Sequence, residues 1–330
     1  MSAGDLDVAL VAPAEGAGSG DDAFPLALEC RSAGARLDDA LAWARIERDA
    51  LDGQLRRHGA LLFRGFPLRS DLDFDAFVQA FGYPGFTYEE SLSNAVRVSR
   101  TDRVFTANEA PPSATIRLHH EMAQTPIFPS RLFFFCERPA DEGGATSLCR
   151  SDWLFARLAE RCPEFTRDCE EHGLLYSLVM PPEDDPESAM GRSWRSTFGV
   201  GTREGAERRM RKLGYGWEWL ADGCLRTTTP VLPAVRELGP GRKSFFNQLI
   251  AALAWKDRRN DPARAVTLGD GRPLDPESWS LVVALAEELS VDLCWQKGDV
   301  ALVDNLVVMH GRRSFRGTRQ VLASLVARDA

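Results

Sequence analysis

Five histidines occur in the 330 residues, and two of them bracket a pattern that could hold a metal. His119-His120-Glu121 is a His-x-Glu triplet, and far downstream His310 follows the apolar run Leu306-Val307-Val308-Met309. Two imidazoles and one carboxylate on one side of an ion form the donor set of a mononuclear non-haem iron centre. That set leaves positions open for a co-substrate and dioxygen. On a strand, side chains two apart share a face. The spacing therefore predicts His119 and Glu121 aimed at one ion, with His120 turned away, behind the centre or along a channel. His310 precedes Gly311-Arg312, which reads as a strand end facing a barrel mouth. Taken singly, His-x-Glu arises by chance and His310 serves equally well as a hydrogen-bonded core histidine. Scarcity narrows the choice, because His58 and His172 stand in no ligand pattern. A structural zinc would call for four Cys or His ligands, and no cysteine is placed to help.

A second constellation lies at the C-terminus. Arg319 opens the run 320–327, and a period of two turns Arg319, Val321 and Ala323 to one side. Such an arginine is either a surface residue of an arginine-rich chain or a buried cation. Burial is expensive unless the cation meets an anion, and a dicarboxylate would give it a bidentate partner. Gly143-Gly144-Ala145-Thr146 adds either a hydroxyl for the same carboxylate or a plain turn residue after two glycines.

The elements that must position these groups read as short strands at 116–122, 132–136, 300–303, 307–310 and 320–327, with turn signals between them. Their division between mid-chain and C-terminus suits a double-stranded β-helix, a two-sheet jelly roll that brings distant strands together. The expected fold is therefore mainly β with surrounding helices. Residues 37–57 read as a helix and 60–64 as a strand closed by Gly65-Phe66-Pro67. Ser70 caps a second helix with Phe74, Phe77, Val78 and Phe81 on one face. Residues 1–23 are expected to be a flexible tail and 24–330 a single domain. Within it, roughly 177–290 reads as a helical, irregular, lid-like insert with a basic helix at 204–212.

Bulk properties set limits on partners. Net charge is −8, only four of the 40 basic residues are lysines, and no basic block is present, so nothing marks a nucleic-acid surface. Seven cysteines without a Cys-x-x-Cys pair suit reduced thiols better than a disulfide framework. The first residues lack a basic region followed by an apolar core, and no later run is long enough to span a membrane. A cytoplasmic protein is expected.

Together the motifs resemble the taurine dioxygenase (TauD/TfdA) superfamily of iron(II)/2-oxoglutarate oxygenases, and within it the SyrP-like branch of natural-product pathways. The resemblance runs in order from about residue 24 to the end. It is carried by Gly59-Ala60-Leu61-Leu62-Phe63-Arg64-Gly65-Phe66, His119-His120-Glu121-Met122, residues 129–136 with Pro139-Ala140, and Gly143-Gly144-Ala145-Thr146. Cys224-Leu225-Arg226-Thr227, Phe246-Asn247-Gln248, Gly298-Asp299 and Asp304-Asn305 follow, and then His310-Gly311-Arg312 with Phe315, Gly317 and Arg319. The resemblance implies a double-stranded β-helix in which His119, Glu121 and His310 bind iron(II), while Thr146 and Arg319 hold the distal carboxylate of 2-oxoglutarate. Two departures stand out: His120 replaces the usual asparagine, and Met122-Ala123-Gln124-Thr125 replaces an aromatic pair. Halogenases of such families carry a small residue in place of the acid, so Glu121 argues for hydroxylation or another oxidation.

Function follows as an expectation. With iron(II), 2-oxoglutarate and O2 as cofactor and co-substrates, the chain would oxidise an unactivated C–H of a small amino acid or amino-acid derivative, free or tethered to a carrier protein. Hydroxylation leads, with desaturation and cyclisation as alternatives. Candidate substrate contacts are Arg226 for a carboxylate, Asn247 for an amide or amine, and the run Glu183-Asp184-Asp185 for a cation. The competing readings are a 2-oxoglutarate-independent dioxygenase or metal-dependent isomerase on the same sandwich, and a catalytically silent jelly-roll binding protein.

Overall fold

Alternation of apolar side chains along the central strands divides them between two cores. In the computed structural model, which describes residues 6–11, 23–86, 91–93, 97–107, 110–185, 187–188 and 190–329, these strands form two facing sheets. The larger runs in the order Val8–Val11, Leu26–Cys30, Ala60–Arg64, Val300–Asp304, Phe128–Arg138, Gln320–Asp329 and Gly85–Phe86, with Phe105–Thr106 also paired to the C-terminal strand. The smaller runs Val291–Leu293, Thr146–Arg150, Val308–Arg312, Ile116–His119. All pairings in these two sheets are antiparallel except Leu26–Cys30 with Ala60–Arg64.

Leu61, Phe63, Phe133, Phe135, Val300 and Leu302 point outward, against the helices Leu37–His58 and Asp71–Ala80. Their neighbours Leu62, Leu132, Phe134, Ala301, Val303, Val321 and Ala323 point inward, toward Leu148 and Val308 of the smaller sheet. Period two on each strand thus makes both layers at once. The second helix starts as its sequence requires: the Ser70 hydroxyl accepts from Asp73 N at 3.2 Å, and the Asp73 carboxylate accepts from Ser70 N at 3.1 Å. Phe74, Phe77, Val78 and Phe81 are all buried.

Two expectations need correction. Val8–Val11 is not a loose tail: its alternating side chains form an edge strand on Leu26–Cys30. Ala23, also placed in the tail, is buried, and residues 1–5 and 12–22 lie outside the described residues. The insert, in turn, is not just helical and irregular. Leu174–Met180, Leu225–Thr228, Gly216–Trp219 and Val266–Leu268 form a four-stranded sheet of their own. These strands are three to seven residues long and mix Thr, Trp and charged residues, too short and too polar for a clear period. The basic helix lies at Arg203–Leu213. A third core, with Leu118, Cys149 and Met309 on the outer face of the smaller sheet, fastens this insert down through Tyr176, Phe245, Leu249 and Trp279.

Candidate active site

His119 ends its strand directly opposite His310, the two being register partners with ring centroids 4.3 Å apart. Strand pairing alone brings these two imidazoles together. Glu121 arrives differently. The strand stops at His119, and Glu121 begins a turn in which Met122 takes a left-handed φ of 61°. The same-face argument for the triplet is therefore replaced by a backbone clamp. Asn305 Oδ1 accepts from Glu121 N at 2.7 Å, while its Nδ2 donates to Glu121 O at 3.0 Å and to Pro129 O at 2.7 Å. A fully buried side-chain amide thus sets the turn that swings the carboxylate back toward the imidazoles.

The donor atoms of His119, Glu121 and His310 all lie within 4.8 Å of one another, close enough to share one ion. His119 Nδ1–H donates to Arg117 O at 2.8 Å, which fixes the tautomer and leaves the Nε2 lone pair for a metal. Burial, reinforced by His310, lowers the His119 pKa to about 4 against the pull of Glu121, so the ring is neutral at physiological pH. Burial pushes Glu121 upward, but Arg97 and the two imidazoles outweigh it and hold the acid well below the usual carboxylate range. His310 faces the same space through Nε2, 3.6 Å from Glu121 Oε2. Two imidazoles and an ionised carboxylate fit iron(II).

Two cavities adjoin this triad, and a third opens beside the second of them. A narrow one of about 50 Å³ runs from His119, Glu121 and His310 to Thr146 and Arg319. A wider vestibule of about 320 Å³ shares Arg97, Ile116, His119 and Glu121 with it and is closed by Gln248, Met190 and Trp255 of the insert. Gln124 and Trp255 also wall a side chamber of about 40 Å³ lined by Thr125, Tyr176, Thr197, Thr227 and Thr229.

Arg319 lies along the narrow cavity with Nε donating to Gly144 O at 2.8 Å and Nη2 to Thr146 Oγ1 at 3.2 Å. Trp295 Nε1 donates to the same hydroxyl at 2.9 Å. Gly144, at φ 71°, is required here: a Cβ would stand 3.1 Å from Arg319 Cδ and 2.9 Å from the Ala140 methyl. Burial, with Arg312 nearby, lowers the Arg319 pKa to about 10, partly offset by Cys136, so the guanidinium stays charged. Among the described residues no carboxylate pairs with it. A half-buried guanidinium bordering a cavity, with no carboxylate beside it, is chemically suited to receive an anion.

A sequence model of the family described as taurine catabolism dioxygenase TauD, TfdA family matches residues 22–325. The chain belongs to the TauD/TfdA family. It is 44% identical over 283 residues to a clavaminate synthase-like protein of Arabidopsis thaliana, with 85% of each chain covered. It is 28% identical over 290 residues to a dapdiamide synthesis protein of Enterobacter agglomerans, covering 84% of each. Among solved structures it is similar to PvcB, an Fe, α-ketoglutarate dependent oxygenase from an isonitrile synthetic pathway. That likeness has a TM-score of 0.52 at 14% identity and covers 97% of this chain and 91% of that one. It is similar too to an asparagine oxygenase in complex with Fe(II), hydroxyasparagine and succinate, at TM-score 0.52 and 14% identity over 88% and 83% of the two chains. The fold is thus the double-stranded β-helix, and the protein is an iron(II)- and 2-oxoglutarate-dependent dioxygenase.

Not every expected residue of this TauD/TfdA dioxygenase lies at the site. Arg226 faces outward from Leu225–Thr228 and pairs with Glu218, because period two turns Leu225 and Thr227 inward instead. Its neighbour Thr227 is the one that lines the side chamber. Asn247 is buried but spent on backbone: Nδ2 donates to Ala234 O at 3.3 Å and Oδ1 accepts from Leu249 N at 3.1 Å, at the start of the helix Leu249–Ala252. Gln248, one residue on, lines the vestibule and donates to His120 O at 2.9 Å. The acidic run is absorbed within the insert: Glu183 pairs with Arg195, Asp184 accepts from Ser193 N, and Asp185 pairs with Arg259. His120 lines none of the three cavities. It is fully buried behind the triad, with Nδ1–H donating to Asn305 O at 2.5 Å and its ring against Phe246. Sequence reasoning missed Arg97 altogether; it lies between the strands Gly85–Phe86 and Phe105–Thr106, with no motif around it.

Proposed function

We propose that this dioxygenase hydroxylates an unactivated C–H of an amino acid or amino-acid derivative, free or carrier-bound. In this reading His119, Glu121 and His310 hold iron(II), and Thr146 and Arg319 hold the distal carboxylate of 2-oxoglutarate. The observation that carries the assignment is the charged, half-buried Arg319, with no carboxylate partner among the described residues, on a cavity that it shares with the triad. When bound, iron, 2-oxoglutarate and dioxygen supply the oxidising power, by decarboxylation of the 2-oxo acid to succinate and carbon dioxide. The chain's own part is placement. Arg117 O keeps His119 in the metal-ready tautomer, Trp295 and Gly144 aim Thr146 and Arg319, and Phe134 packs against the His310 ring at 5.1 Å.

The substrate would enter the vestibule, whose volume of about 320 Å³ suits a small polar molecule. Its walls carry both hydrogen-bonding groups, Gln124 and Gln248, and apolar ones, Met190 and Trp255. The names of the relatives, a dapdiamide synthesis protein and an asparagine oxygenase, support an amino-acid-like substrate.

The test is anaerobic addition of iron(II) and then 2-oxoglutarate, which should give a charge-transfer colour, followed by air in the presence of an amino-acid library. Succinate formed in step with one library member, which gains an oxygen atom, is the expected result. Product that has lost two hydrogens would move the assignment to desaturation or cyclisation. Colour that does not need 2-oxoglutarate would remove Thr146 and Arg319 from the reading.

A further inference from the structure

Three protein donors leave three open positions only if Glu121 gives the ion a single oxygen. A carboxylate is free to chelate with both, and would then fill a position the co-substrate needs. The two oxygens of Glu121 are not equivalent here. Oε2 faces the imidazoles, 3.6 Å from His310 Nε2, whereas Oε1 accepts from Arg97 Nη2 at 2.8 Å. The pair is shielded from water, with side-chain exposures of 7% for Arg97 and 5% for Glu121, and the guanidinium rests over the Phe105 ring at 5.0 Å. A charge-assisted bond in such surroundings is directional and hard to exchange for solvent.

We propose that Arg97 is a positioning residue that holds Oε1 and so restricts Glu121 to one-oxygen ligation through Oε2. The inference rests on the reading of His119, Glu121 and His310 as the metal ligands. Arg97 borders both the narrow cavity and the vestibule, so it stands where the co-substrate and substrate chambers meet. With Asn305 fixing the Glu121 backbone and Arg97 fixing its outer oxygen, the carboxylate is held at both ends.

The decisive measurement uses the wild-type chain loaded with Mn(II) and crystallised without co-substrate. The expected result is one Glu121 oxygen on the ion with Arg97 still bonded to the other. Both oxygens on the ion, or Arg97 displaced from Glu121, overturns the inference while leaving the metal site standing. Failure of the wild type to bind Mn(II) sinks the metal reading, and the inference with it. In solution, Arg97→Met should still bind Mn(II) but need about ten- to a hundredfold more 2-oxoglutarate to develop the anaerobic iron(II) charge-transfer band. Arg97→Lys, which keeps the charge, should recover part of that loss. A lowered melting temperature in Arg97→Met with unchanged 2-oxoglutarate affinity would mean that Arg97 merely supports the fold.

Discussion

The two walls that face the triad are made differently. On the jelly-roll side, His310, Thr146 and the run after Arg319 sit on paired strands, with register shifts after His310 and after Gln320, and this pairing fixes which way each side chain points. On the insert side, Gln248, Met190 and Trp255 come from loops, Gln248 and Trp255 flanking the short helix Leu249–Ala252, in an insert held by its own bonds such as Asp185 to Arg259. In the proposed function the first wall would serve iron and 2-oxoglutarate, which are the same for every reaction of this kind. The second would serve the substrate, which differs from enzyme to enzyme, and irregular segments accept change without disturbing the sheets.

The largest effects should come from the strand wall. His119→Ala or His310→Ala is expected to abolish iron(II) binding, read as loss of the anaerobic colour and of bound metal in the isolated protein. Arg319→Ala should leave metal binding intact and raise the 2-oxoglutarate requirement about a hundredfold, ~3 kcal/mol, as truncating one side of a buried charge pair does. Thr146→Val removes one neutral hydroxyl, and about 1 kcal/mol or fivefold is expected. If Arg319→Ala and Thr146→Val gave equal losses, the charge on Arg319 would not be what holds the co-substrate.

Two asparagines sharpen the same contrast. Asn305 makes three bonds under the triad and Asn247 makes two under the insert. Asn305→Ala should cost about 3 kcal/mol of stability and also weaken metal binding, because the Glu121 turn loses its clamp. Asn247→Ala should cost about 1–2 kcal/mol and leave the metal and 2-oxoglutarate affinities alone. Chemical denaturation with and without Mn(II) separates the two.

What could be read beforehand follows the same division. The meeting of His119, Glu121 and His310, and of Thr146 with Arg319, is legible in the sequence because strand periodicity and the order of motifs both bear on them. Even there Glu121 arrives by another route than the strand period: it reaches the imidazoles through a turn set by Asn305, a partner 184 residues away in sequence. Arg226 was misplaced by a single step of the strand period, and Asn247 by one residue from Gln248. Arg97 carried no signal, since its meaning lies wholly in a contact across the fold. The insert sheet escaped because its strands are too short to show a period.

His120 offers a smaller, pH-dependent effect. Burial lowers its pKa to about 3, partly offset by the bond to Asn305, and that of His119 to about 4, where burial leads and His310 adds. Both rings are neutral in the fold and free to take a proton when unfolded, near pH 6.5. Their contribution is therefore fully present above about pH 6.5 and is lost as pH falls toward 4, each ring adding about 1.4 kcal/mol per pH unit. His120→Asn keeps a donor for Asn305 O but cannot titrate. The metal-free variant should lose less stability between pH 6.5 and 5 than the wild type, by melting temperature. Equal slopes would show that His120 is not the buried base it is taken to be.

The smallest effect is the most pointed test of the two-wall contrast. Arg226 was the natural partner for a substrate carboxylate, yet it points away and pairs with Glu218, its side chain 46% exposed. An exposed pair of this kind is worth about 0–1 kcal/mol, and solvent screening puts it at the lower end. Arg226→Ala should therefore leave the substrate KM, the 2-oxoglutarate KM and the melting temperature almost unchanged. Thr227→Val, one residue further on, removes a hydroxyl from the side chamber that adjoins the vestibule. It should alter which library members trigger succinate formation. If instead Arg226→Ala changed substrate choice and Thr227→Val did not, the inward face of the insert would have been assigned to the wrong residues, and the period of Leu225–Thr228 would have to be reversed.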